Sequence, residues 1–415
     1  MGAVLSTVEN GASGHQAGRG IRVLHAVHSL DNRLGGAVHA GLNVCRSLVE
    51  AGIDVQVVAT RGRNDDLEYL RAAYANVPWM TLPRVFPQRW YNGRGLHAKL
   101  EKMVPQYDLV EIHAVFSFVC LRTAAAARRQ QVPYFLRPHG SLDPFDLRKR
   151  ALLKRVFGRL LVKPVLDGAA GILCTSALEA ERLVTFGATP RRFAVALPVP
   201  AGPAVPESAG QDFRVRHRIP ADAPVIIFLS RVDYKKGLEY LVPALASLRR
   251  LWPQLHFLLV GSGDPAYVSE VRDLLTRHGT LEWTIQTGFL SGEEKQAALA
   301  ASDIFILPSL NENFGMAIVE AMRAGLPVVI SREVYIHQEI VHAQAGVVCG
   351  TSADSCEKAL RQLLEAPPNY RVAMGQRGRT LAENAFSNGA TTSRLLGIYE
   401  EALAAKSSRR LRRSK

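Results

Sequence analysis

What limits this chain most is a repeating alternation, in which short apolar runs are separated by stretches with helical spacing. In the first half the runs are Ile21–Val27, Val55–Ala59, Leu109–His113, Tyr134–Arg137 and Gly171–Thr175, with helical stretches such as Gly36–Ala51 and Phe118–Gln131 between them. The second half repeats the pattern. Its runs are Val225–Ser230, His256–Val260, Trp283–Thr287, Ile304–Leu307, Val328–Ile330 and Gly346–Val348; its helices fit Leu238–Arg250, Tyr267–Arg277, Glu293–Ala301 and Gly315–Ala324. Apolar strands without alternation are buried on both faces, which calls for parallel sheets covered by helices. Strands alternating with helices give βαβ units.

Between the halves lies PVPAGPAVPESAG (198–210), whose four prolines read as a linker. The expected organisation is a mobile tail (1–18), an α/β domain (19–197), the linker (198–210), a second α/β domain (211–385), a helix packing back on the first domain (386–405) and a basic tail (406–415). A chain of 415 residues is too long for one ordinary domain and suits this division. The fold class is α/β, with two doubly wound parallel-sheet domains facing a cleft. Such sheets bind ligands outside the carboxyl ends of their strands, and a cleft between two of them is the default site.

Fifty-one Lys and Arg against 37 Asp and Glu leave a net charge of +14, which implies an anionic partner. The charge is uneven: residues 1–200 carry +11, residues 201–405 carry −3, and KSSRRLRRSK at the end carries +6. Aromatic residues are only 7% and no aromatic-basic RNA signature occurs, which argues against nucleic acid. Five cysteines without a C-x-x-C pair exclude a disulfide framework or zinc ribbon and suit a reducing cytosol. No apolar run approaches a membrane span, and the first residues lack the pattern of a signal peptide.

Two clusters carry chemistry. In LPSLNENFGMAIVEAMRAGLPVVIS (307–331) a strand ends at Pro308, a polar loop follows, and a helix begins near Gly315. Glu320 is placed mid-helix among Ile318, Val319, Ala321 and Met322, where a carboxylate needs a partner; ribose hydroxyls would serve, and so would an arginine. Glu312 precedes the helix, where backbone NH groups gather. In FLSRVDYKKGLEYL (228–241), Arg231 and Lys236 flank a loop and Gly237 opens the next helix, which makes an anion site suited to a diphosphate. LVGSGDP (259–265) offers glycine-permitted close approach to a ligand.

Arg231 and Lys236, five apart with Gly237 next, followed by Glu312-x7-Glu320 with Asn313-Phe314-Gly315, resemble glycosyltransferase family 4, the glycosyl transferases group 1. Its members are retaining, nucleotide-sugar-dependent enzymes of the GT-B fold. The likeness is nearly continuous over about 222–350, and looser in the first half through Gly35-Gly36 and DLVEIH. It implies that Arg231 and Lys236 bind the diphosphate and that Glu320 holds the ribose. It assigns Glu312 and the backbone of Phe314-Gly315 to the donor sugar, and gives Gly35-Gly36 NH groups for the phosphate. His113 would be the second catalytic candidate beside Glu312. Glu111 stands where many members have a first histidine, which makes His139 in RPHGSLDP the rival of His113 for the sugar.

No D-x-D triplet exists to hold Mg²⁺, so no metal or other cofactor is expected, and the basic pair takes its place. The implied substrates are a nucleotide sugar and a glycan or lipid-linked acceptor, in polysaccharide biosynthesis. A nucleotide-sugar epimerase of the same fold, and a non-catalytic sugar-nucleotide or nucleic-acid binding protein, are the alternatives. DPFDLRKRALLKRVFGRLLVK (143–163) is an amphipathic helix capped by Asp143-Pro144. Its leucine stripe faces either the core or an anionic membrane; the latter gives a cytoplasmic protein peripheral at the inner face of a membrane.

Overall fold

The computed structural model describes residues 20–31, 36–63, 65–86, 90–148 and 151–413, with side chains to 408. The tail 1–18, Gly35 and the end of the basic tail lie outside the described residues. The chain divides into two compact units: the residues before Val199 together with the helix Asn388–Arg413, and Val199–Ser387.

The first unit is built on a seven-stranded sheet: β1 (Arg22–Ser29), β2 (Asp54–Arg61), β3 (Trp79–Pro83), β4 (Leu109–His113), β5 (Tyr134–Arg137), β6 (Gly171–Cys174) and β7 (Arg192–Ala194). The order is β3-β2-β1-β4-β5-β6-β7, and every pairing is parallel. The winding reverses between β1 and β4, so a crevice is expected at their carboxyl ends. Helix Gly36–Glu50 covers one face with Val38, Leu42, Cys45 and Leu48, all buried. Helix Phe118–Arg129 starts on a Ser117 cap that accepts from the Cys120 amide and sends Val119, Ala124 and Ala127 into the core. Two strands have no counterpart in the apolar runs. β3 is a half-exposed edge and β7 has only three residues, so neither carries a long apolar run.

The second unit has six parallel strands: β8 (Val225–Leu229), β9 (His256–Val260), β10 (Thr284–Gly288), β11 (Ile304–Leu307), β12 (Val328–Ser331) and β13 (Gly346–Cys349). Their order, β10-β9-β8-β11-β12-β13, reverses between β8 and β11. Every residue of β8, β11 and β12 is buried, as two-sided helical cover requires.

Two local features differ from expectation. The proline-rich stretch is not a linker throughout: the Val199 amide donates to the Phe386 carbonyl, and helix Ala209–Arg216 begins inside the stretch. The 143–163 segment is divided into helices Pro144–Leu147 and Ala151–Phe157 and a wider π-helical turn, Gly158–Val162. Its leucines face outward, so it is not a core-facing helix. The closing helix Asn388–Arg413 packs on the first unit, where Tyr399 is fully buried with its ring 5.7 Å from Phe135. All five cysteines are free and buried, and no helix among the described residues is long and apolar enough to cross a membrane.

Candidate active site

In the second unit the charged residues stand on loops leaving β8 and β11. Asp233 caps a short turn by accepting from the Lys235 amide, and Gly237 turns the chain into helix Leu238–Arg249 with a φ of 74°. A Cβ on Gly237 would lie 2.2 Å from the Pro308 carbonyl oxygen, so only glycine lets the two loops close together. The Leu310 amide donates to the Lys235 carbonyl at 2.7 Å and ties the same loops again. This brings the Lys236 ammonium onto the Glu312 carboxylate, to which it donates. Glu312 is strapped by its backbone, its amide donating to Glu333 and its carbonyl accepting from Tyr335. Its carboxylate also accepts from the Phe314 amide at 3.4 Å. Burial works to raise the Glu312 carboxyl; the Lys236 charge and the amides of Phe314 and Gly315 more than offset it and hold it below the usual carboxylate range.

Arg231 remains half exposed, with Asp233 at 3.3 Å as its ionic partner among the described residues. Glu320, on helix Met316–Arg323, is not sealed among apolar groups as its neighbours in sequence suggest. Its carboxylate is part-exposed and accepts from Lys295 of helix Gly292–Ala300 at 2.9 Å. The partner is therefore a lysine, and both are within reach of solvent. Phe314 buries its ring against Phe386, so the ring is not presented to a ligand. The glycines of LVGSGDP are required by the neighbouring loop. Cβ atoms on Gly261 and Gly263 would lie 1.8 and 2.0 Å from the carbonyls of Ser230 and Val232, so these glycines admit the neighbouring backbone.

The first unit offers a different chemistry. His25 on β1 and His113 on β4 point to the same face, and His139 follows β5. His113 Nε2 lies 3.0 Å from His25 Nδ1, and His113 Nδ1 lies 2.9 Å from His139 Nε2. The rings are stacked in sequence at 5.3 and 5.2 Å. Helix Gly36–Glu50 closes over them at Gly41, where a Cβ would come within 3.3 Å of the His113 ring. Gly36, at the start of that helix, is exposed and has open space beside it. Burial lowers all three imidazoles, His25 to about 4 and the other two well below their ordinary value. The column is therefore neutral at neutral pH: it donates and accepts hydrogen bonds without carrying charge. Ala114 and His139 both have a positive φ, 66° and 50°, the kind of local strain that surrounding structure must hold in place.

Glu111 lies beneath this column. It is fully buried and accepts from Arg137 at 2.6 Å and from the Tyr399 hydroxyl. Burial raises its carboxyl, and Arg137 beside it, with His25 and Tyr399, more than reverses this. His113 and His139, rivals in the sequence, thus belong to one cluster. Sequence reasoning missed His25, Arg137, Tyr399 and Lys295. A histidine inside the apolar run RVLHAVHS was the one local signal available.

Two doubly wound parallel sheets, each with charged or polar groups gathered where its winding reverses, make up the GT-B architecture. The chain belongs to glycosyltransferase family 4. Residues 210–381 match the glycosyl transferases group 1 family and residues 34–198 match Glycosyltransferase Family 4. It is 32% identical over 192 residues to a GDP-mannose-dependent alpha-(1-6)-phosphatidylinositol monomannoside mannosyltransferase of Mycolicibacterium smegmatis, covering 44% of this chain and 50% of that one. It is 30% identical over 261 residues to an MMP alpha-(1->4)-mannosyltransferase of Mycolicibacterium hassiacum, covering 62% and 60%. The match thus spans about half to three-fifths of these relatives. The crystal structure of Anabaena HepE in complex with UDP shares the fold, with a TM-score of 0.76 at 19% identity over 92% of this chain and all of that one.

Proposed function

We propose that this chain is a retaining hexosyltransferase that moves a sugar from a nucleotide-diphosphate donor to a glycan or lipid-linked acceptor in polysaccharide biosynthesis. It works in the cytoplasm at the inner face of a membrane. The observation that carries the reading is the Lys236–Glu312 pair, held between two loops with Arg231 half exposed nearby in sequence. A departing nucleotide diphosphate gains negative charge, and a preorganised cation in a partly dry site stabilises that charge more in the transition state than in the bound donor. Lys236 can turn part of its hydrogen bonding to the phosphate while Glu312 keeps it aimed and takes up the sugar side. Glu320 and Lys295 stand as an exchangeable pair, in which the carboxylate accepts from ribose hydroxyls once the lysine is displaced.

Retention fits the first unit. Glu111, the one carboxylate paired with this histidine column among the described residues, is locked by Arg137 and Tyr399 and is not presented as a nucleophile. Attack by the acceptor on the leaving-group side then needs no enzyme nucleophile, and the diphosphate oxygen can take the acceptor's proton. The neutral histidines orient sugar hydroxyls. The basic side chains substitute for a divalent metal.

The relatives named above act on a GDP-mannose donor in one case and bind UDP in another, so the test runs a panel of UDP-, GDP- and ADP-sugars. A true donor at about a hundred times its Kd stabilises the fold by about 2.7 kcal/mol and releases free nucleotide when acceptor is added. Release persists in EDTA. Stabilisation without any nucleotide release across acceptors would leave a binding protein; sugar conversion without release would leave an epimerase.

A further inference from the structure

A cavity of about 600 Å³ in the first unit lies outside both clusters described above. Four cations, Arg148, Lys154, Arg155 and Arg159, line it together with Val184 and Phe186, and no carboxylate does. Lys154 donates to the Asp146 carbonyl at 2.6 Å, and Arg148 lies over the Phe145 ring. Arg148, Arg155 and Arg159 have no ion-pair partner among the described residues. The wall is tightly built: a Cβ on Gly158 would fall 2.3 Å from the Phe186 ring, and Phe186 itself holds a φ of 54°.

The same helix turns its apolar side to solvent. Leu152 is 75% exposed and Leu160 69%, with Leu153, Val156 and Leu161 also exposed. Phe157 anchors the segment by stacking on Trp90 at 4.9 Å. Trp90 belongs to a loop closed by the Arg84–Gly93 bridge, and Phe86 in that loop is 90% exposed. Five large apolar side chains exposed within ten residues mark an interaction surface. The partner must offer anions beside apolar volume.

We propose that this surface docks on a bilayer containing anionic phospholipid. The cavity receives phosphate-bearing headgroups, and Leu152, Leu153, Val156, Leu160 and Leu161 enter the boundary with the acyl chains. The assignment rests on this cavity and the exposed apolar residues beside it, and stands whether or not the chain transfers sugar. Vesicle flotation tests it, using the full chain with phosphatidylcholine vesicles with and without phosphatidylglycerol, at low and high salt. The protein floats with the anionic vesicles, and salt releases it because exposed charges are screened. Arg148→Gln, Arg155→Gln and Arg159→Gln together lower partition onto anionic vesicles by about a hundredfold. Leu152→Ser with Leu160→Ser lowers it by roughly tenfold or more. Both variants keep the wild-type melting temperature and nucleotide binding, which separates loss of docking from loss of fold.

Several outcomes overturn the proposal. Equal flotation with neutral vesicles, or none with either, would leave the surface to a protein partner. Displacement by millimolar-range inorganic phosphate would make the cavity a site for a soluble ligand. Loss of binding on neutralising Arg409, Arg410, Arg412 and Arg413, with full binding in the helix variants, would move membrane contact to the tail.

Discussion

In the second unit the candidate residues stand on loops and on two short helices, part-exposed, in ion pairs within reach of solvent: Lys236 with Glu312, Lys295 with Glu320, Arg231 with Asp233. In the first unit most of them come from strands and are buried, with His139 on the loop after β5 partly buried, and the charged pair Glu111–Arg137 lies next to a column of neutral imidazoles. Under the proposed function, the contrast follows from the work each would do. A diphosphate needs charge that is held in place but still reachable. Sugar hydroxyls need fixed hydrogen-bonding geometry, which a buried and rigid scaffold supplies without net charge.

The sharpest break of this contrast is on stability. Removing one partner of a buried ion pair leaves an uncompensated charge, so Arg137→Ala should cost about 3–5 kcal/mol in urea unfolding. Tyr399→Phe, which removes one donor to the same carboxylate, should cost about 1–3 kcal/mol. Arg231→Ala, at a half-exposed pair, should stay within about 1 kcal/mol of wild type. Equal losses at Arg137 and Arg231 would erase the distinction between sealed and reachable charge.

The second test is acid. His25 has its folded pKa depressed from 6.5 to about 4, so the unfolded chain binds the proton first as pH falls. Stability is therefore complete above 6.5 and is lost as pH drops from 6.5 toward 4, by about 3 kcal/mol for this one residue. His113 and His139 act in the same direction. Glu111, also depressed, adds its own loss only below the usual carboxylate range. Melting temperatures between pH 7.5 and 5 read the effect, and His25→Gln should flatten the slope. An unchanged slope in that variant would mean that the column is not what titrates.

The third concerns affinity. Lys236→Ala and Glu320→Ala should each weaken nucleotide-diphosphate binding by roughly ten- to a hundredfold, the worth of one charge-assisted contact. Calorimetry measures this directly. Unaltered affinity in Lys236→Ala would remove the phosphate site from this loop.

These residues were legible because the second unit's site is written along the chain. Lys236, Glu312 and Glu320 sit at fixed spacings around strand ends, and loop residues near helix starts declare their chemistry locally. The first unit's site is written across it. Tyr399 reaches Glu111 from 288 positions away, and Arg137 and His25 meet it through strand register. No local pattern encodes that, so Glu111 read as an oddity and His113 and His139 as rivals. The fold shows the same rule: long apolar runs marked the central strands, while the edge β3 and the three-residue β7 had too little burial to leave one.

The smallest expected effect separates binding from transfer. His113 is neutral and hydrogen-bonded on both nitrogens, so it contributes by orienting rather than by charging. His113→Ala should leave affinity for the bare nucleotide diphosphate intact, since that contact belongs to the second unit. It should lower kcat/KM for sugar transfer by about tenfold, the scale of one net hydrogen bond. His25→Ala should act in the same direction and more weakly, because it acts through His113. The pH profile then decides between orientation and proton transfer. With the column neutral, kcat/KM should run flat through 6.5 in the wild type, with no acid limb until the fold itself is lost. An acid limb near 6.5 that disappears in His113→Ala would make this histidine a titrating acid–base group. It would also end the claim that the first unit works without charge.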